Sequence, residues 1–254
     1  MTRSSDPNAA TADADRFEQI YRDDRTAGGL QSSTPWDIGG PQPAVRRLVA
    51  LGAIKGEVLD PGTGPGHHAI YFAAHGFPST GIDVSATAIE RARENARAAG
   101  VSVDFEVGDA KTLTGFENRF DTVVDTAFYN TFADDPAAQH NYLLALHRVT
   151  RPDARLYMVE AADYNVNGFF MPPKMSKDTL LQSLPAGGWQ ITYLGPTTYL
   201  VNVSAEKFEA MVEANPAAPP RIRSIAQRLR VIEPLMDGQL AHAPFWEIHA
   251  TRIT

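Results

Sequence analysis

From residue 45 onward, short apolar runs alternate with stretches whose apolar positions recur every three or four residues. Such alternation predicts βαβ units on a parallel sheet. Val45, Leu48 and Val49 follow Pro41 and Pro43 at helical spacing, and the run Glu57 to Leu59 then ends at Asp60 and a group of glycines. A helix therefore leads into the first strand. Ala69 to His75 reads as a helix stopped by Gly76, and Ser79 to Ile82 as a second strand ending in Asp83. Ser85 is placed to cap a helix whose Ile89, Ala92, Ala96 and Ala99 form one stripe, with Gly100 ending it in a left-handed turn. Val101 to Val107 alternates as a third strand, and Phe120 to Val124 is a nearly all-apolar fourth strand ending at Asp125. Leu143, Leu144 and Leu146 mark another helix, followed by a fifth strand (Arg155 to Val159), a helix (Ser176 to Leu184) and a sixth strand (Trp189 to Leu194). Phe245 to Ile253 alternates with no helix after it, which predicts an antiparallel last strand in a seven-stranded, mostly parallel, doubly wound α/β sheet.

Between the last two strands, residues 201–240 carry two helical patterns around "NPAAPP", one with Phe208, Met211 and Val212 and one with Ile222, Ile225, Leu229, Ile232 and Leu235. An insertion of that size commonly covers a site. Residues 1–15 alternate small and polar side chains and are expected to be a disordered tail, which leaves 16–254 as a single domain with 201–240 as its helical cover. No run of about 18 apolar residues is present to cross a bilayer, and the Asn202-Val203-Ser204 triplet has no secretion signal beside it to make it a glycosylation acceptor.

Composition removes several chemistries. With 23 basic against 30 acidic residues the formal net charge is -7, so nucleic acid would be repelled over most of the surface. The absence of cysteine removes disulfides, thiolate nucleophiles and cysteine-ligated zinc, and fits a reducing cytoplasm.

In open α/β sheets ligands bind beyond the carboxyl ends of the strands, and here an aspartate follows each of the first four strands: Asp60, Asp83, Asp109 and Asp125. Aspartate there also caps helices, so the set matters more than any member. Gly62, Gly64 and Gly66 form G-x-G-x-G, whereas the dinucleotide pattern G-x-G-x-x-G needs glycine where His67 stands. Asp83, 23 positions after Asp60, is placed to accept both hydroxyls of a ribose. A nucleoside without pyrophosphate fits this spacing better than NAD.

The runs "VLDPGTGPGHHAIYFAAHG", "GIDVSATAIERAREN", "VGDA" and "FDTVVD" together resemble the class I S-adenosylmethionine-dependent methyltransferases over about residues 36 to 162. The resemblance implies a Rossmann-like sheet and S-adenosylmethionine as cofactor. It further implies that Gly62 and Gly64 admit the methionine part and Asp60 orients its ammonium group. Asp83 would hold the ribose and Val84 would pack on the adenine. Asp109 would accept from the exocyclic amino group beside Ala110, with Asp125 and Thr126 facing the sulfonium. A second stretch, "TPWDIGGPQPAVRRLV", resembles the entry segment of thiopurine-type small-molecule methyltransferases and of actinobacterial proteins that methylate heterocyclic toxins. Trp36 would there cover the methionine end, with Tyr21 as a lid residue.

Related sequences place a histidine after the fourth strand, but here "DTAFYNTF" offers Tyr129 and Asn130, which become the candidate catalytic pair. Methyl transfer needs a base only when the acceptor is protonated, so an already acidic aromatic or heterocyclic acceptor suits this site, as does a thiol or ring nitrogen. His67, His68 and His75 sit at helix ends, where histidine is ordinary. Phe169, Phe170 and Met171 supply an uncharged rim after the fifth strand. The competing reading is a metal-dependent catechol-type enzyme using Asp125, Asp163 and Asn165, since hard oxygen ligands suit magnesium. A non-catalytic cofactor-binding protein is the other.

Overall fold

The computed structural model describes residues 7–26, 34–165, 174–214, 220–236 and 240–253. Seven strands, β1 (Val58–Pro61), β2 (Ser79–Asp83), β3 (Asp104–Val107), β4 (Phe120–Thr126), β5 (Thr150–Ala161), β6 (Trp189–Asn202) and β7 (Leu240–Arg252), form one sheet in the order β3-β2-β1-β4-β5-β7-β6. β1 to β5 pair in parallel, while β7 lies antiparallel between β5 and β6. The helices are α1 (Pro7–Thr26), α2 (Pro43–Ala50), α3 (His67–Ala74), α4 (Ala86–Ala99), α5 (Pro136–Val149), α6 (Lys177–Ala186), α7 (Ala205–Ala214) and α8 (Pro220–Ile232).

Both faces of the sheet are covered, as a strand with no polar alternation requires. On β4, Val123 packs with Leu143, Leu146, Leu180 and Leu184 of α5 and α6 on one side. Its neighbour Val124 packs with Val45, Leu48 and Phe72 of α2 and α3 on the other. The cap of α4 is as expected: Ser85 Oγ accepts from the N–H of Ala88, and Gly100 ends the helix with φ +69°. Its buried Ala92 and Ala96 let the helix lie close to Phe105 and Ala69.

Several boundaries depart from the sequence reading, among them β5, which runs from Thr150 to Ala161 rather than from Arg155 to Val159. β3 begins at Asp104 rather than Val101. β6 runs through Gly195 and Pro196 to Asn202, since an edge strand tolerates a residue without an N–H. β7 starts at Leu240, so the insertion shrinks to the segment between Asn202 and Leu240. Residues 7–15, expected in a disordered tail, belong to α1, whose alanines favour a helix entered at Pro7.

Ile225 and Leu229 of the insertion are buried against Tyr199, Val201 and Phe245, whereas Ile232 and Leu235 of the same expected stripe are exposed. The side chains of Phe208, Met211 and Ile222, the residues Phe169, Phe170 and Met171, and most of the "NPAAPP" segment lie outside the described residues. Among the described residues no helix is long and apolar enough to cross a membrane.

Candidate active site

Parallel neighbours bring the carboxyl ends of β1, β2 and β4 to one edge of the sheet, and a cavity of about 250 Å³ opens there. Nine of the thirteen residues singled out from the sequence line it: Tyr21, Trp36, Gly62, Asp83, Val84, Asp109, Ala110, Thr126 and Asn130. Asp60, Gly64, Asp125 and Tyr129 are not among its lining residues.

The glycines admit protein groups. A side chain on Gly62 (φ +68°) would run into the ring of Phe128, and one on Gly64 (φ +53°) would lie 2.7 Å from the hydroxyl of Tyr21. The same loop fixes Asp83, whose Oδ2 accepts from the N–H of Gly64 (2.9 Å) and Oδ1 from that of Ser85 (2.9 Å). A carboxylate has about four lone-pair sites, so Asp83 keeps acceptor capacity toward the cavity it lines. Burial pushes its carboxyl up to about 6. Val84 is apolar beside it, and Asp109 and Ala110 line the same cavity. An acceptor pair, an apolar contact and a second acceptor in that order fit a nucleoside.

Asp60 is buried beneath this surface. Its Oδ2 accepts from the Thr63 hydroxyl (2.5 Å), and His68 Nδ1 lies 3.9 Å from Oδ1. Burial first, and the nearby Asp125 and Asp83, push its carboxyl up to about 7.

The far end of the cavity is built by the turn after β4. Ala127 takes a left-handed conformation (φ +59°), which turns the chain so that Phe128 packs under Gly62 and Asn130 lines the cavity. Strain of this kind concentrates at functional sites. Tyr129, expected beside Asn130 in the catalytic pair, does not line the cavity: it is fully buried, stacks on Tyr142 at 5.9 Å and donates its hydroxyl to Ser183 Oγ (3.0 Å). A side chain held in the core by that packing cannot touch an acceptor. Asp125 is likewise fully buried and does not line the cavity. Its oxygens accept from the N–H groups of Phe128 and Tyr129 and from Tyr142 (2.7 Å). They are committed to those donors rather than aimed at a metal shared with Asp163. Among the described residues no group of three or more potential metal-ligating side chains meets.

His68 is committed at both nitrogens. The N–H of Gln42 donates to its Nε2 (3.3 Å), so in the neutral ring Nδ1 carries the hydrogen and donates to Thr126 Oγ1 (2.9 Å). Burial, with His67 beside it, pulls His68 down to about 3, so it stays neutral. Thr126 therefore accepts from the ring and keeps its own hydroxyl hydrogen to donate.

Several walls were not read from the sequence. Tyr199 and Phe245 stack at 4.6 Å, and Phe17 meets Trp36 edge-on at 6.4 Å; all four line the cavity. Helix α1 carries Phe17 and Tyr21 to it and is anchored by Glu18, which accepts from the Ser85 hydroxyl (2.6 Å) and the Thr87 hydroxyl (2.6 Å). Burial opposes charge on Glu18, but these bonds and Arg22 outweigh it and bring the carboxyl down to about 2. The Trp36 indole N–H donates to the Tyr21 hydroxyl (3.3 Å), closing the aromatic cover.

Comparison with known proteins agrees with this geometry. The family described as a methyltransferase domain matches residues 55–193. A 2-heptyl-1-hydroxyquinolin-4(1H)-one methyltransferase of Mycobacteroides abscessus is 30% identical over 193 residues, 74% of this chain and 82% of that protein. A solved structure described under the conversion of a disulfide bond into a thioacetal group during echinomycin biosynthesis is 30% identical. It superposes with a TM-score of 0.72 over 94% of this chain and 93% of its own. The Burkholderia thailandensis 1,6-didemethyltoxoflavin-N1-methyltransferase, at 18% identity, TM-score 0.62 and coverage of 100% and 93%, shares the fold.

Proposed function

This chain belongs to the methyltransferase-domain family and transfers a methyl group from S-adenosylmethionine to a small molecule, and from that premise we propose that its acceptor is a planar, largely apolar aromatic or heterocyclic compound that reacts as an anion. The observation that carries the proposal is a cavity with aromatic walls whose described lining offers no histidine and whose carboxylates, Asp83 and Asp109, are the residues this reading gives to the nucleoside. The described lining residues include no histidine, burial holds Tyr21 and Tyr199 protonated, and neutral His68 is already bonded at both nitrogens. The M. abscessus relative supports the same reading, since its named substrate is a fused heterocycle with a hydroxyl on the ring nitrogen.

The bound cofactor supplies an electrophilic methyl group on its sulfonium. In this reading Asp83 takes the ribose hydroxyls, Val84 the adenine face, Asp109 and the backbone of Ala110 the exocyclic amino group. Asp60, with the Gly62 and Gly64 loop, supports the methionine end under Trp36 and Tyr21. Asn130 and Thr126 hold the acceptor heteroatom by donated hydrogen bonds, while Tyr199 and Phe245 flank its ring. In-line alignment alone can supply roughly 7 to 11 kcal/mol of the barrier. Methylation of an acidic group would mask a toxin, and the net charge of -7 speaks against nucleic acid as the acceptor. In the same reading the enzyme works in the cytoplasm, as one catalytic domain that includes α1.

The test is a cofactor-turnover assay across phenols, thiols, hydroxyquinolones and fused heterocycles, with product mass as readout. Turnover confined to acceptors that ionise near or below neutrality supports the proposal. Equal turnover of unactivated alcohols would refute it.

A further inference from the structure

Below the cavity two carboxyl groups face each other, and among the described residues no cation pairs with them. Asp125 of β4 is fully buried, and Glu160 of β5 is equally buried two residues beyond the partner of Asp125 in the register, Met158. Glu160 Oε2 accepts from the N–H of Asn130 (2.8 Å), while its Oε1 finds no donor among the described residues. Burial and the neighbouring Asp125 push Glu160 well above the carboxylate range, so it keeps its proton and offers it to Asp125. Glu160 thus donates to one neighbour and accepts from the next.

The bond that follows along β5 orients Asn130. The N–H of Ala161 donates to Asn130 Oδ1 (3.3 Å), and since a peptide N–H can only donate, the atom facing it is the amide oxygen. The side-chain NH₂ is then the remaining polar group of a residue only 6% exposed that lines the cavity, and it pairs with no described residue.

We propose that Glu160 is a positioning residue for the acceptor: with the adjoining Ala161 peptide it pins Asn130 at both ends, so that the amide NH₂ is presented to the acceptor heteroatom opposite the Tyr199–Phe245 wall. The proposal rests on the reading that Asn130 holds the acceptor. A neutral Glu160 is mimicked by glutamine, which also offers one acceptor and one donor, whereas alanine removes both.

The test compares Glu160→Gln, Glu160→Ala and Asn130→Ala, with S-adenosylhomocysteine as the cofactor probe and 2-heptyl-1-hydroxyquinolin-4(1H)-one as the acceptor probe. Asn130→Ala and Glu160→Ala should each lower kcat/KM for the acceptor about tenfold, the worth of one hydrogen bond to a charged group. The double variant should be no worse than Asn130→Ala, and calorimetry should show unchanged affinity for the cofactor probe. Glu160→Gln should stay within about twofold of the parent in kcat, KM and pH profile. If Glu160→Ala does not fold, Glu160→Met, which keeps the volume, replaces it. Glu160→Gln as impaired as Glu160→Ala would overturn the proposal, because the charge would then matter. So would additive losses in the double variant. An Asn130→Ala enzyme with parental acceptor kinetics would instead refute the reading on which the proposal rests.

Discussion

Asp60→Asn should stabilise the cofactor-free protein by an amount that grows as pH rises above the usual carboxylate value and levels off once the buried Asp60 itself ionises. In the fold the carboxyl is fully buried, and burial raises it from the usual 3.8 to about 7. The native state therefore binds a proton that the unfolded chain has released between those values, and stability falls as pH rises through this window. At about 1.4 kcal/mol per pH unit over about 3 units, ionised Asp60 costs the native state about 4 kcal/mol at pH 8. Asparagine keeps an oxygen for the Thr63 hydroxyl and cannot ionise. Urea unfolding of parent and variant should give a gain approaching that figure at pH 8 and nearly none at pH 4. If Asp60 also serves the ammonium group of the cofactor, the variant should gain less melting temperature from S-adenosylhomocysteine than the parent does. Destabilisation at pH 8, or the same difference at both pH values, would refute the reasoning.

Three further outcomes follow from the cofactor side and the cover. Asp83→Ala should raise the S-adenosylhomocysteine Kd about tenfold or more, since it removes a charge-assisted acceptor. In the parent, affinity should weaken as pH falls through about 6, where Asp83 takes a proton, and calorimetry should find that dependence gone in the variant. Glu18→Ala should speed cofactor release in stopped-flow displacement, because the bonds to Ser85 and Thr87 that hold α1 on α4 are lost. Hydrogen exchange in α7 and α8 should slow on binding an acceptor or product analogue, and unchanged protection would make those helices a structural brace.

The sheet was legible in the sequence because its central strands β1, β2 and β4 are buried on both faces and end in aspartate or a cap, as at Asp83-Val84-Ser85. Where the local signal was diluted the reading stopped short. β6 alternates with exposed residues and contains Pro196, so a strand reaching Asn202 read as one ending at Leu194. The cavity-lining residues after β1, β2 and β4 were legible because they follow strand ends in order. Tyr129 was misplaced because spacing cannot tell which way a side chain turns after a left-handed residue such as Ala127. Phe17, Tyr199 and Phe245 meet only through tertiary packing and left no local mark. Glu160 did leave one: a single acid within "RLYMVEAA" is a charge in an otherwise apolar strand, which calls for a buried partner.

A protein that positions an acceptor already ionised, with no base of its own, leaves its mark on the pH dependence of kcat/KM, measured from pH 5 to 10 for two hydroxylated heterocycles whose own pKa values differ by about 2 units. The expected result is two curves whose midpoints follow the two acceptors, each flat above its midpoint until cofactor or protein stability fails. A single midpoint near 6 to 7 shared by both acceptors, and moved by substitution of His68, would contradict it.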